Sequence, residues 1–222
     1  FAARRAEAAA RGRLRGFGFA CYIENCGSGM EETGRLRAEA DGTVTLTIGT
    51  QDNGQGHRTA YAQIIADRLG IDIDRIRVVQ GDTDQIVDGR GTGGSRSIPI
   101  GGVSCDRAAE SLIEKGKRIA AEILEAAVAD IDYSVGAFAV AGTDRRVTLA
   151  QVAAAAADPA YLPAGEEPGL TGEGKHGTTD YTFPNGCHVC EVEIDPETGL
   201  VSVENYTVVD DFGTVLNPLL LA

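Results

Sequence analysis

A strand, a glycine-broken loop and a helix follow one another without a gap between Thr43 and Gly70 (TVTLTIGTQDNGQGHRTAYAQIIADRLG), and no other stretch constrains this chain as much. Val44, Leu46 and Ile48 alternate with Thr45 and Thr47, so Thr43 to Gly49 reads as a strand with one buried face. Thr50 to Gly56 forms the loop. Tyr61, Ile64, Ile65 and Leu69 then recur at helical spacing, and Gly70 stands where a helix stop belongs. The loop therefore opens onto a helix N-terminus, whose first N–H groups lack intrahelical partners. Gly54 and Gly56 allow another molecule to approach the backbone. Gln51 and Gln55 each offer an amide acceptor and two donors, a set suited to the edge of a heterocycle.

A second loop repeats this design. Gly91-Thr92-Gly93-Gly94-Ser95-Arg96-Ser97 lies within a polar, glycine-rich segment from Gly81 to Gly102 and precedes a long helix. Its glycines expose N–H groups, its hydroxyls can donate, and Arg90 and Arg96 add positive charge. Those are parts of a phosphate cradle. It is no P-loop, because Lys-Ser or Lys-Thr does not follow in register, and it lacks the GxGxxG spacing and βαβ context of a dinucleotide fingerprint. One Gly/Ser loop is more often a flexible connection. Two, each opening a helix, point to a ligand.

The remaining chain reads as α+β. Residues 1–15 form a lead-in helix end and 16–222 a single ligand-binding domain. Strands are expected at Gly16–Cys26, Gly34–Ala40, from about Arg75, at Val135–Ala141 and at Arg145–Val147. Asp41-Gly42 marks a hairpin. An amphipathic helix is expected from about Val103 to Ala129, with Leu112, Ile119, Ile123, Leu124 and Val128 on one face. Thr148 reads as the N-cap of a short helix through Ala157. Tyr161–Tyr181 reads as irregular, and Cys187–Asp195 and Leu200–Val209 as a closing hairpin, with Asp210-Asp211 in the turn after it.

Charge and cysteines exclude several functions. Asp and Glu outnumber Lys and Arg by 33 to 20, a net charge of −13, which argues against nucleic acid as a partner. Cys21, Cys26, Cys105, Cys187 and Cys190 are odd in number and irregular in spacing, so they read as free thiols. Cys187 and Cys190 form a CxxC on a strand, where residues three apart face opposite ways. His57, His176 and His188 are scattered, and no protein-held metal is expected. His57 reads as a hydrogen-bonding member of the first loop. Asp72 and Asp74, Asp82 and Asp84, and Asp210 and Asp211 read as turn formers and solvated charges. No nucleophile–base arrangement appears, so no catalytic residue is assigned. No apolar run reaches membrane-spanning length and no signal peptide is recognised, which suits a cytoplasmic protein. The start at Phe1 and the apolar end Leu219-Leu220-Leu221-Ala222 suggest a piece of a longer polypeptide.

Taken in order, Gln51-Asp52-Asn53-Gly54-Gln55-Gly56-His57, Gly81-Asp82-Thr83-Asp84, Gly91 to Ser97, and Val209-Asp210-Asp211-Phe212-Gly213 followed by Asn217-Pro218 resemble the molybdenum hydroxylases. That family includes xanthine dehydrogenase, aldehyde oxidase and aerobic carbon monoxide dehydrogenase large subunits. The resemblance implies the second molybdopterin-binding region of the large subunit. The cofactor would be molybdopterin, often as its cytosine dinucleotide in bacterial members. Gln51, Gly54, Gln55, Gly56 and His57 would sit against the pterin, and Thr92, Gly93, Gly94, Ser95, Arg96 and Ser97 would hold the phosphate part. The metal would be held by the cofactor's own sulfurs, with iron–sulfur and FAD centres in other domains or subunits. The family's catalytic Glu lies in a later motif, beyond Asn217-Pro218. Phe212 stands where many relatives have Cys. The sequence leans towards the carbon monoxide dehydrogenase branch. A binding module for a phosphorylated small molecule is the alternative.

Overall fold

The computed structural model describes residues 1–27, 29–163 and 165–221. Ala222, the end of the apolar tail, lies outside the described residues. Two compact units emerge, one from residues 1–26 and 182–215, the other from 27–181 and 216–222.

In the larger unit, β2 (Glu32–Ala38), β3 (Val44–Ile48), β4 (Ile76–Val79) and β8 (Leu170–His176) form a sheet in the order β4-β3-β2-β8. The hairpin at Asp41-Gly42 is present: β2 and β3 are antiparallel, and Asp41 Oδ1 accepts from Thr43 N–H at 2.9 Å. β3 and β4, in contrast, run parallel and are joined through α2 (His57–Leu69). The opening stretch is thus the first two-thirds of a βαβ crossover. Its consequence is local: the loops leaving β3 and β4 start from the carboxyl ends of adjacent parallel strands, where ligands of open α/β sheets bind.

Leu36, Leu46, Ile48, Tyr61, Ile65, Leu69, Leu112 and Leu170 build the core with α3 (Val103–Leu124). The helix lies directly on the strands because the sheet face beneath it carries glycines. Gly34 pairs with Gly174 and Leu36 with Gly172. A Cβ on Gly174 would collide with the backbone of Ser104 and Ala108, and one on Gly172 with Ala108 and Leu112. Ser104, Ala108 and Leu112 are four residues apart, one stripe of the helix. The opposite sheet face is polar.

Several boundaries differ from the sequence reading. Tyr161–Tyr181 is not wholly irregular, for it contains β8, whose Leu170, Gly172 and Gly174 alternate buried with exposed Thr171 and Glu173. Its glycines hid the period. A π-helical turn, Ser97–Gly102, runs into α3, so the glycine-rich loop ends at Arg96. α3 stops at Leu124 rather than near Ala129. Glu125 is left-handed (φ 48°), Arg145 caps the Leu124 carbonyl, and Val128 lies exposed in a 3-10 turn. β5 (Ile131–Ser134) was not expected. It pairs with β6 (Ala137–Val140), which pairs with β7 (Arg146–Thr148). The expected strand at Val135 begins two residues later, because Val135 and Gly136 form the turn with positive φ. Thr148 does cap α4 (Leu149–Ala155), in a capping box with Gln151.

In the smaller unit, α1 (Ala2–Ala10) leads into β1 (Leu14–Ile23), which pairs with β9 (Asn185–Ile194), and β9 with β10 (Val201–Asp211). Asp210 and Asp211 therefore lie in β10, not in a turn. Asp210 accepts from Tyr22 Oη at 3.0 Å, and His188 Nδ1 lies 3.0 Å from Tyr206 Oη. Glu191 and Glu193 share a face of β9 and bind Arg4, Arg11 and Arg15 at 2.7–3.3 Å.

Hydrogen bonds from Arg4 and then Arg15 hold the Glu191 carboxyl down at about 2, against an ordinary 4.5. A folded-state pKa below the unfolded one contributes stability that is complete above the unfolded value and lost as pH falls through the folded one. Thermal melts should therefore show a stability loss from about pH 5 down to about pH 2, and Glu191→Gln should flatten that slope. An unchanged slope in the variant would place the loss on other carboxylates.

Candidate functional site

The two glycine-rich loops meet. Thr92 N–H donates to Gln51 Oε1 at 3.0 Å, and Thr92 Oγ1 to the Gln51 carbonyl at 2.5 Å. Tyr61, fully buried on α2, joins them from below. Its hydroxyl lies 2.7 Å from Thr50 Oγ1 and donates to the Ser97 carbonyl at 2.9 Å. Gly101 is required there, since a Cβ would fall 2.6 Å from that hydroxyl. Burial raises the Tyr61 pKa, which keeps the phenol protonated as a donor. Gln80, at the end of β4, donates to the Thr50 carbonyl.

Deeper still lies an ion pair. Arg96 is 0% exposed, and its Nη1 is 3.1 Å from Glu32 Oε2. The guanidinium also donates to the Gly91 and Glu31 carbonyls, both at 2.8 Å. Glu32 Oε1 accepts from the Thr33 and Gly49 N–H groups at 3.2 Å. Burial pushes the Glu32 carboxyl up, against the pull of Arg96.

Between the loops is a cavity of about 420 Å³, lined by Gln55, His57, Ala60, Thr92, Gly93, Ser95, Ser97, Ile98 and Pro99. Six of the expected site residues thus converge. Gln55 Oε1 accepts from Asn53 N–H at 2.5 Å, and the side chain is exposed. The expected hydrogen bond from His57 is not made at Nδ1, which is buried with no partner; the ring packs 5.4 Å from that of Tyr61. Gly93 has nothing within 4 Å of where a Cβ would project. Gly56 is the N-cap of α2 with φ 75°, so glycine is required for the chain to enter the helix there.

Other expected ligands are used differently. Gln51 is a strut between loops, its acceptor oxygen spent on Thr92. Arg96 spends its Nη1 and Nη2 on Glu32 and two carbonyls, while its Nε is buried without a partner. In the loop ahead of α2, Gly54 N–H donates to Asp52 at 2.7 Å, and this holds its pKa low. At the second loop Thr92 has spent both its N–H and its hydroxyl on Gln51, and Ser97 lines the cavity. Gly54 and Gly94 shape the turns, and Gly94 accepts from Gly27 N–H at 3.2 Å.

Tyr61, Thr50 and Glu32 were not picked out from the sequence. Tyr61 was read as one more apolar helix position, although a buried tyrosine needs a partner for its hydroxyl. Glu32 carried no signal beyond being an acid beside a strand. A larger open groove of about 770 Å³ lies on the polar sheet face. Among its lining charges, Arg35 pairs with Glu173 and Arg118 with Glu166. Among the described residues, no cluster of His, Cys, Asp and Glu could hold a metal.

Two glycine loops thus open side by side on a βαβ crossover, the arrangement in which open α/β sheets bind ligands. The chain belongs to the molybdopterin cofactor-binding domain family, whose profile matches residues 1–222. It is 39% identical over 196 residues to the carbon monoxide dehydrogenase large chain of Hydrogenophaga pseudoflava, covering 88% of this chain and 24% of that one. It is 36% identical over 211 residues to the 6-hydroxypseudooxynicotine dehydrogenase complex subunit gamma of Paenarthrobacter nicotinovorans, covering 95% and 26%. The fold matches quinoline 2-oxidoreductase from Pseudomonas putida 86 with a TM-score of 0.82 at 34% identity, over 100% of this chain and 30% of that one. The expected α+β class and the family resemblance are both borne out. The chain spans about a quarter of the curated relatives it matches. No described helix is long and apolar enough to cross a membrane.

Proposed function

We propose that this chain forms one wall of the molybdopterin site in a molybdenum hydroxylase large subunit, with the cavity between its two loops receiving the cofactor. The convergence of Gln55, His57, Thr92, Gly93, Ser95 and Ser97 on that cavity carries the reading. These residues fit the group. The buried His57 Nδ1 lacks a partner and the Gln55 amide faces the cleft, so both can meet a heterocycle edge. Ser97 brings a hydroxyl to the cavity wall for a phosphate, while Thr92 is held by Gln51. Tyr61, Gln51 and the Glu32–Arg96 pair position the loops and touch no ligand.

When bound, the cofactor supplies the redox-active metal on its own sulfurs. The protein's part is to orient it and exclude water. The whole enzyme would transfer water-derived oxygen to a small-molecule substrate and pass electrons to iron–sulfur and flavin centres. The cytosine dinucleotide is the form we expect, and carbon monoxide dehydrogenase-like chemistry the branch.

Metal and pterin analysis of the full-length subunit, purified from a molybdopterin-producing host, tests this. About one molybdenum per chain is expected, with cytidine monophosphate released on acid hydrolysis. Gly93→Leu, whose Cβ would meet nothing within 4 Å at the cavity wall, should lower occupancy at least about tenfold while leaving the thermal melt intact. Full occupancy in that variant would move the cofactor elsewhere, and wild-type protein without molybdenum or pterin would end the proposal.

A further inference from the structure

Cys21 and Cys187 are far apart in sequence but directly opposite one another in the antiparallel register of β1 and β9. Opposed residues share a face and hold their α-carbons about 4.5–5.5 Å apart. That lies within the roughly 4.4–6.8 Å a disulfide spans. Ala20 opposite His188 and Tyr22 opposite Gly186 keep this register on both sides. The neighbouring Cys21, together with burial, pushes the Cys187 thiol up. Cys21 is exposed and Cys187 half-buried, so a small oxidant reaches the first and the second lies behind it.

No other cysteine is so placed. Cys26 bridges to Thr182, Cys190 lies opposite Gly18 and Tyr206, and Cys105 is buried in α3. The CxxC spacing of Cys187 and Cys190 is therefore misleading, and the partner of Cys187 is on another strand.

We propose that Cys21 and Cys187 are a reversible dithiol–disulfide pair, oxidised by a low-molecular-weight disulfide. The Cys21 thiolate attacks one sulfur of the oxidant, forming a mixed disulfide and releasing one thiolate. Cys187, as its thiolate, then attacks the Cys21 sulfur and releases the second. The two cysteines lose two electrons and two protons, and the oxidant becomes two thiols. The product ties β1 to β9 covalently.

Cys21 and Cys26 share one tryptic peptide, and Cys187 and Cys190 another. The assay therefore uses the full-length subunit carrying Cys26→Ser and Cys190→Ser. After incubation with oxidised glutathione and blocking of free thiols, non-reducing mass spectrometry should find the two peptides joined, lighter by two hydrogen atoms. Adding Cys187→Ser should stop the reaction at glutathionylated Cys21. In the otherwise unaltered chain, oxidation should raise the melting temperature by about 5–10 °C, reversed by dithiothreitol and absent in Cys21→Ser. Two persistent free thiols, or a stable glutathione adduct on Cys21 while Cys187 is present, would overturn the proposal.

Discussion

Arg96→Met should destabilise the larger unit by about 3–5 kcal/mol, the cost of leaving one member of a buried pair without the other. Both partners are enclosed, and Arg96 supplies donors to the Gly91 and Glu31 carbonyls besides Glu32. The variant would strand a carboxylate that burial already pushes up. Glu32 would then take up a proton more readily, so the deficit should be smaller near pH 5 than near pH 8. Glu32→Gln combined with Arg96→Met should recover part of the loss, because no buried charge remains. Urea denaturation at both pH values measures all of this. A loss below about 1 kcal/mol would mean that water reaches the pair in solution.

Gly174→Ala should cost at least about 3 kcal/mol, the upper end of what overpacking does. One methyl group is being added, yet it would fall on the backbone of α3 at Ser104 and Ala108, which has no side chain to swing aside. The helix would have to lift from β8, and Leu112 with it. Gly18→Ala is the matched control. That glycine also lies within a strand, but nothing approaches within 4 Å of its added Cβ. It should be neutral or slightly stabilising, within about 0.5 kcal/mol. Equal effects of the two substitutions in thermal melts would show that strand propensity, not helix approach, sets the cost.

The legible parts of this molecule were those with local physics. The alternation of Val44, Leu46 and Ile48 announced β3, and Asp41-Gly42 its hairpin. Gly70 announced the end of α2, and Thr148 with Gln151 the cap of α4. Where the local pattern was blank, the reading failed. β8 carries glycine at two of its three buried positions, so it shows no apolar period. α3 ends at Leu124 ahead of a left-handed Glu125, a residue that does not mark a stop. The candidate site divided in the same way. Gln55, His57, Thr92, Gly93, Ser95 and Ser97 were visible because glycine loops opening helices have a recognisable composition. Tyr61 and Glu32 were hidden because a buried hydroxyl or carboxylate looks like any other until its partner is known.

From the chain alone followed the elements, the two loops, their order and the family they resemble. Only the tertiary structure decided that β3 and β4 run parallel, which sets the two loops side by side at adjacent carboxyl ends. It also decided that Arg96 pairs with Glu32, that glycines on β2 and β8 admit α3, and that Cys187 faces Cys21 rather than Cys190. The reason is range. Periodicity and capping act over a few residues, whereas strand pairing joins distant segments, and a slip of one residue would reverse every face and change every partner.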